Sequence, residues 1–111
     1  MSTIFSKIIN RELPADIVYE DEKCLAFRDI NPVAPTHVLV IPKTPIVSLG
    51  DSTEEDSSLL GHCMHVCNLV AEQEGLNDFR VVTNSGAGAG QSVFHLHFHV
   101  IGGRALSWPP G

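Results

Sequence analysis

Three histidines alternate with apolar residues along His95-Leu96-His97-Phe98-His99-Val100-Ile101, directly after the glycine-rich stretch Ser85-Gly86-Ala87-Gly88-Ala89-Gly90 and the pair Gln91-Ser92. Half of the six histidines in the chain lie there. A neutral imidazole is a competent nucleophile near neutral pH, because its ordinary pKa lies near 6.5 while a neighbouring ring can still carry a proton. One short row therefore holds a base and an acid together. The glycines let the backbone approach a ligand closely and turn its N–H groups toward an anion, and Ser92 adds a hydroxyl donor. Nucleophilic attack on a phosphate-bearing ligand is the chemistry these residue types suit.

The alternation has the period of a β-strand, so His95, His97 and His99 share one face and Leu96, Phe98 and Val100 the other. Same-face neighbours stand roughly 6.6 Å apart at about 3.3 Å per residue, which makes the rings a short track. The rival reading is a zinc or copper site. Three rings in a row on one strand converge on one ion less readily than i, i+4 pairs on a helix, and the strand offers no Asp, Glu or Cys as a further ligand. A metal is therefore not expected. A bland row of packing histidines would need a separate hydrogen-bond partner for each ring. The glycines alone are weak support, since Gly86-x-Gly88-x-Gly90 precedes a strand instead of opening a helix and no P-loop lysine follows.

The elements that must hold this row are legible in outline. Thr3 caps a short helix carrying Ile4, Phe5, Ile8 and Ile9, which Asn10 to Pro14 ends. Ile17 to Glu20 and Cys24 to Asp29 read as a hairpin turning at Asp21-Glu22. The loop Ile30 to Thr36 contains two prolines, and His37 to Ile41 is a near-continuous apolar strand closed by Pro42. Ser52 or Thr53 caps a long helix whose first turn holds Glu54, Glu55 and Asp56, and Gly75 stops it. Its inward stripe is traced through Leu60, Cys63, Met64, Cys67, Val70 and Ala71; Leu59, Val66 and Leu69 widen it and suggest packing on a second subunit. Within this helix His62, Cys63, His65 and Cys67 read as core cysteines and surface histidines, not as a metal cluster. Phe79 to Asn84 is a further strand. The sum is an α+β domain on a largely antiparallel sheet.

One domain is expected for the 111 residues. With 43% apolar and 18% charged residues the chain reads as globular, and its formal charge is -6. The seven basic residues are scattered, so no footprint for a nucleic-acid polymer is visible. No window is apolar enough to span a membrane, and the N-terminal residues lack a signal-peptide pattern. Three cysteines without a repeating frame argue for reduced thiols. A cytoplasmic setting is expected, with the nucleus also open.

The row of histidines resembles the signature of the histidine triad (HIT) superfamily. The chain is further similar to the histidine triad nucleotide-binding protein (HINT) branch through Ile4-Phe5-Ser6-Lys7-Ile8-Ile9, Ala26 to Pro32, Ala34-Pro35-Thr36-His37 to Pro42, Gly90-Gln91-Ser92-Val93 and the ending Trp108-Pro109-Pro110-Gly111. The resemblance implies a HIT-like fold: an antiparallel sheet of about five strands with one short and one long helix, the sheets joined across a homodimer. It implies a purine nucleoside phosphoramidase that cleaves the P–N bond of adenosine 5'-phosphoramidates, with aminoacyl-adenylates, in which a P–O bond breaks instead, as further substrates and with no cofactor. On that pattern His97 is the nucleophile and forms a nucleotidyl-histidine, and His95 orients it. His99 and Ser92 contact phosphate and assist proton transfer, and His37 completes the relay. Gly90, Gln91, Ser92, Val93 and Asn84 are expected on the phosphate side and Asp29 on the ribose hydroxyls. Ile4, Phe5, Ile8, Phe27, Arg28 and Ile30 are expected to clasp the base. An apolar slot and one carboxylate suit a nucleoside, which explains how an acidic protein could bind a nucleotide.

Arg28 stands where close relatives often carry histidine, and residues 85–89 are richer in glycine and alanine than the polar loops of the branch. His99 stands where the transferase branch has glutamine. The tail 102–111, including Trp108, is expected at the dimer interface and the rim of the site. The alternative is a nucleotide-binding scaffold or sensor dimer acting through protein partners.

Overall fold

The structure, a computed structural model, describes residues 2–111. Helix α1 (Ile4–Ile9) starts at Thr3, whose hydroxyl accepts the Ser6 N–H while the Ser6 hydroxyl accepts the Thr3 N–H. This reciprocal cap satisfies donors that so short a helix would otherwise leave open. Strands β1 (Ile17–Glu20) and β2 (Cys24–Arg28) form the expected hairpin. Asp21 fixes its turn, accepting the Lys23 and Cys24 N–H groups on Oδ1. Strand β3 (Thr36–Pro42) is buried along its whole length.

Helix α2 (Ser57–Gln73) is preceded by a single 3-10 turn, Glu54–Asp56, which Thr53 caps. Gly75 ends the helix region with φ +74°, a conformation open to glycine. Strands β4 (Phe79–Val82) and β5 (Phe98–Gly102) complete one sheet in the order β1-β2-β3-β5-β4, every neighbouring pair antiparallel. The five strands, the short helix and the long one agree with the α+β expectation.

Alternation along the strands sorts the core into two. Cys24, Ala26, Val38, Val40, Phe98 and Val100 face α2, where Cys63, Val66, Cys67, Val70 and Ala71 cover them. Leu25, Phe27, Leu39 and Ile41 face the other way and are covered by Phe5 and Ile8 of α1. Each fully buried aliphatic side chain of this kind contributes roughly 1.5–3 kcal/mol. The helix stripe differs from expectation at two residues: Met64 is exposed, and Val66, counted above as surplus, is fully buried. The helix is rotated so that the 63/66/67/70 seam meets the sheet, and Val66 needs no second subunit to cover it.

The histidine row is less of a strand than its alternation predicts. Ladder pairing begins only at Phe98, opposite Val40. Upstream, the Leu96 N–H donates to the Ile46 carbonyl at 2.7 Å, and the Thr83 hydroxyl donates to the His97 carbonyl at 2.8 Å. The reason lies in β3, which ends at Pro42: proline has no N–H to give, and its carbonyl is taken by a histidine side chain. Side-chain alternation nevertheless persists through residues 95–99. No helix among the described residues is long and apolar enough to cross a membrane.

Candidate active site

Because Leu39 lies opposite His99, and His37 opposite Ile101, the rings of His37 and His99 fall on the α1 face of the sheet. They meet there with His97, over a cavity of about 400 Å³. Its walls are Ile4, Phe5 and Ile8 from α1, Phe27 to Asn31 from β2 and the following loop, and Leu39, Ser92, Val93, His97 and His99. The loop residues Leu13, Pro14 and Ala15 close one side. The size and the mostly apolar wall suit a small organic ligand with a few polar contacts. A larger hollow, about 600 Å³, lies between residues 75–80 and 103–106 but contains no histidine in its lining.

Hydrogen bonds assign the proton on each ring. The His97 Nδ1–H donates to the backbone carbonyl of His95 at 2.8 Å, which leaves Nε2 with its lone pair. Phe5 stacks edge-on against this ring, with centroids 5.0 Å apart and planes at 87°. A carbonyl behind the ring and a phenyl beside it thus fix both tautomer and orientation. His95 stands behind the cavity, and its Nε2–H donates to the Pro42 carbonyl at 2.7 Å.

The second pair is polarised in sequence. The Val33 N–H donates to His37 Nδ1 at 3.1 Å, so His37 carries its proton on Nε2. That Nε2–H donates to His99 Nδ1 at 2.8 Å, and His99 in turn keeps its proton on Nε2. His97 and His99, whose centroids are 5.1 Å apart, therefore present unlike atoms: a lone pair on one, an N–H on the other. Asp29 Oδ2 lies 3.4 Å from His37 Nε2, and the Asp29 N–H donates to the His37 carbonyl.

Burial pushes the pKa of all four rings down, since a charged imidazolium loses hydration there. His99 is moved furthest, to about 4, with His97 and His37 adding to the effect of burial. Desolvation outweighs the opposing pull of the His95 carbonyl and Asp29 on His97. The unliganded cluster is neutral at pH 7.

Other candidate residues sit differently. Arg28 lines the cavity, but its guanidinium grips the Glu74 carboxylate with bonds of 2.6 and 3.0 Å, at the C-terminal end of α2. Ile30 is 91% exposed, at the cavity mouth. Gln91 is buried and works as a pin: its Nε2 donates to the Val47 and Val93 carbonyls and its Oε1 accepts the Gly86 N–H. Gly90 adopts φ +100°, and a side chain there would approach Asn84. Asn84, Gly90, Gln91, His37 and His95 do not line the cavity, whereas Ser92 and Val93 do. Of the wall residues that sequence reasoning missed, Leu39 had a signal, because it shares strand parity with His37. Leu13, Pro14 and Ala15 had none.

The fold and site define a small α+β protein in which a neutral, oriented histidine and a proton-bearing neighbour overlook an apolar cavity. The chain belongs to the HIT domain family, whose model matches residues 10–106. It is 60% identical over 110 residues, 98% of this chain and 96% of the relative, to an uncharacterized HIT-like protein of Synechocystis. It is 54% identical over 112 residues, 98% of this chain and 88% of the relative, to a 14 kDa zinc-binding protein of Zea mays. The crystal structure of a HIT family hydrolase from Legionella pneumophila Philadelphia 1 superposes with TM-score 0.96 at 46% identity, covering 99% of this chain and 100% of that one.

Proposed function

We propose that the protein is a purine nucleoside phosphoramidase of the HINT branch, hydrolysing adenosine 5'-phosphoramidates to a nucleoside monophosphate and an amine. The observation that carries this reading is the bond from His97 Nδ1–H to the His95 carbonyl, which reserves Nε2 as a nucleophile beside the cavity. A scaffold that only held a nucleotide would have no use for that lone pair. The naming of the Legionella relative as a hydrolase points the same way.

The purine enters between Phe5, Ile8 and Phe27, and Asp29 accepts hydrogen bonds from the ribose hydroxyls. The guanidinium of Arg28, held by Glu74, supports the wall from behind. Ser92 and the backbone of residues 90–93 receive the phosphate. The phosphoryl anion raises the pKa of the ring nearest it, so His99 enters the complex as an imidazolium, its Nδ1 taking a proton as the His37 Nε2–H turns to Asp29 Oδ2, 3.4 Å away. His97 Nε2 attacks phosphorus, the P–N bond breaks, and the His99 proton passes to the departing amine. Water then attacks the nucleotidyl-histidine, returns a proton to His99 and releases the monophosphate with free His97. The His95 carbonyl stabilises the charge that develops on His97 during attack, and His37 holds the His99 ring in place in the free enzyme.

The zinc named for the maize relative raises the question of a metal at this site. Asp29, His37 and His99 do bring one donor atom each within 4.8 Å. Both nitrogens of His37, however, are committed to Val33 and His99. This set does not fit an ion without dismantling the relay, and no step of the reaction passes through one.

The reading includes a homodimer in a cytoplasmic setting. Strand β4 is the last in the sheet, so a copy of it could continue the ladder across two chains. Trp108, 80% exposed with Arg80 5.9 Å from its ring centroid, then becomes available to a partner's site rim. Turnover of an adenosine 5'-phosphoramidate tests the function: the wild type releases amine and monophosphate, and His97→Ala loses at least about 10³-fold in kcat/KM. Absence of turnover in the wild type would favour the scaffold.

A further inference from the structure

On the α2 face of the sheet, away from the histidine cluster, the β1–β2 turn and α2 bring together three side chains that the phosphoryl chemistry does not use. Asp21 Oδ2, Cys24 Sγ and His62 Nε2 lie within 4.8 Å of one another. His62 Nε2 is 2.7 Å from Asp21 Oδ2. Oδ1 of the same carboxylate accepts two backbone N–H groups, from Lys23 at 2.8 Å and Cys24 at 2.7 Å, and the Tyr19 hydroxyl donates to Oδ2 at 2.8 Å. Cys24 is fully buried, while the side chains of His62 and Asp21 keep 30% and 25% exposure. The sulfur therefore forms the floor and the carboxylate and imidazole the mouth.

We propose that Asp21, Cys24 and His62 form a zinc site that ties the β1–β2 turn to helix α2. Thiolate, imidazole and carboxylate together are the donor chemistry of zinc, whereas magnesium and calcium take oxygen. Three protein ligands leave the fourth position to water entering from the exposed side. Tyr19 and the two N–H groups orient the carboxylate, as outer partners commonly do for metal ligands. Cys63 Sγ lies 3.6 Å from Cys24 Sγ; this contact and burial push the Cys24 thiol up, so the ion must displace its proton. On binding, the Cys24 S–H bond breaks, the S–Zn bond forms and the proton goes to solvent. The proton on His62 Nε2, which faces the Asp21 carboxylate, is exchanged through solvent for one on Nδ1, and Nε2 then binds the ion.

In the sequence these residues stand apart, with His62 among its helix neighbours. The partners come from a turn about forty residues earlier, brought over by the packing of α2 on β2.

The test is a titration of chelator-stripped protein with Zn²⁺ against a chromophoric chelator, repeated with Co²⁺. The wild type is expected to take one zinc per chain, show a near-ultraviolet thiolate-to-cobalt band, and melt at higher temperature with zinc present, since the ion binds only the folded arrangement. His62→Gln and Cys24→Ser weaken binding by about 100-fold and lose the cobalt band or its intensity, while His99→Gln keeps both. Should buried Cys24→Ser fail to fold, His62→Gln decides alone, its circular dichroism matched to the wild type. The proposal is overturned if the wild type takes no zinc, if His62→Gln binds as the wild type does, or if only His99→Gln loses the metal.

Discussion

His37 Nε2 donates to His99 Nδ1 across 2.8 Å, between two paired strands. Because the backbone N–H of Val33 occupies the other nitrogen of His37, the direction of this bond is set by the loop between β2 and β3. The proton on His99 is thereby placed on Nε2, and the neighbouring ring of His97 has the opposite tautomer.

On the proposed mechanism His37 is a positioning residue that acts through that bond. His37→Ala is expected to lower kcat by about 10²-fold, in the range of general acid–base contributions, with KM little changed. His37→Gln, whose amide nitrogen can still donate to His99, should recover part of the loss. Steady-state kinetics of the pair against pH checks this. Equal kcat in His37→Ala and wild type would remove His37 from the relay.

The lowered ring pKa values give a sign for stability against pH. In the unfolded chain the histidines titrate near 6.5, so below that pH the unfolded state binds more protons than the folded one. Stability from this source is complete above about pH 6.5 and is lost as the pH falls from there toward the folded values, about 4 for His99. Melting temperatures should be level between pH 7 and 8 and fall between 6.5 and 4.5. A melting temperature unchanged across the lower window would contradict the burial of neutral rings.

Gln91 joins three backbone groups across a buried junction. Gln91→Ala would leave carbonyls at residues 47 and 93 and the N–H of Gly86 without that partner, a loss of about 1–3 kcal/mol. Because Ser92 follows directly, kcat/KM should fall as well. Urea unfolding beside kinetics measures both, and a variant as stable as the wild type would show that water replaces the side chain.

Phe5 holds the His97 ring edge-on and also walls the cavity. Phe5→Leu keeps an apolar side chain but loses the aromatic contact, about 0.5–1.5 kcal/mol. A drop of up to about tenfold in kcat/KM is expected, with the melting temperature lowered only slightly. An unchanged kcat/KM would mean that the His95 carbonyl alone orients the ring.

Period and punctuation made most of the fold legible. Thr3, the Asp21-Glu22 turn, Pro42 and Gly75 mark boundaries that the structure keeps, since each acts through the local backbone. The pairings β1–β2 and β4–β5 follow from neighbours in sequence, whereas β3 beside β5, across α2, does not. What alternation could not convey was that residues 95–97 leave the ladder, because that depends on Pro42 as a distant partner. The family pattern supplies the candidate site residues but not their tautomers, which depend on backbone atoms of Val33, Pro42 and His95. The ion-pair partner of Arg28, which lines the cavity, was hidden for a similar reason. Strand parity puts its guanidinium on the α2 face, where Glu74, far along the chain, holds it.

The central claim is that His97 Nε2 forms a covalent bond to phosphorus. Rapid quenching of the protein with an adenosine 5'-phosphoramidate, followed by intact mass and peptide mapping, measures it directly. The expected result is a transient adduct of one adenosine monophosphate per chain, mapped to His97 and missing from His97→Ala. Turnover by His97→Ala at the wild-type rate, or an adduct mapped to a different residue, would contradict it.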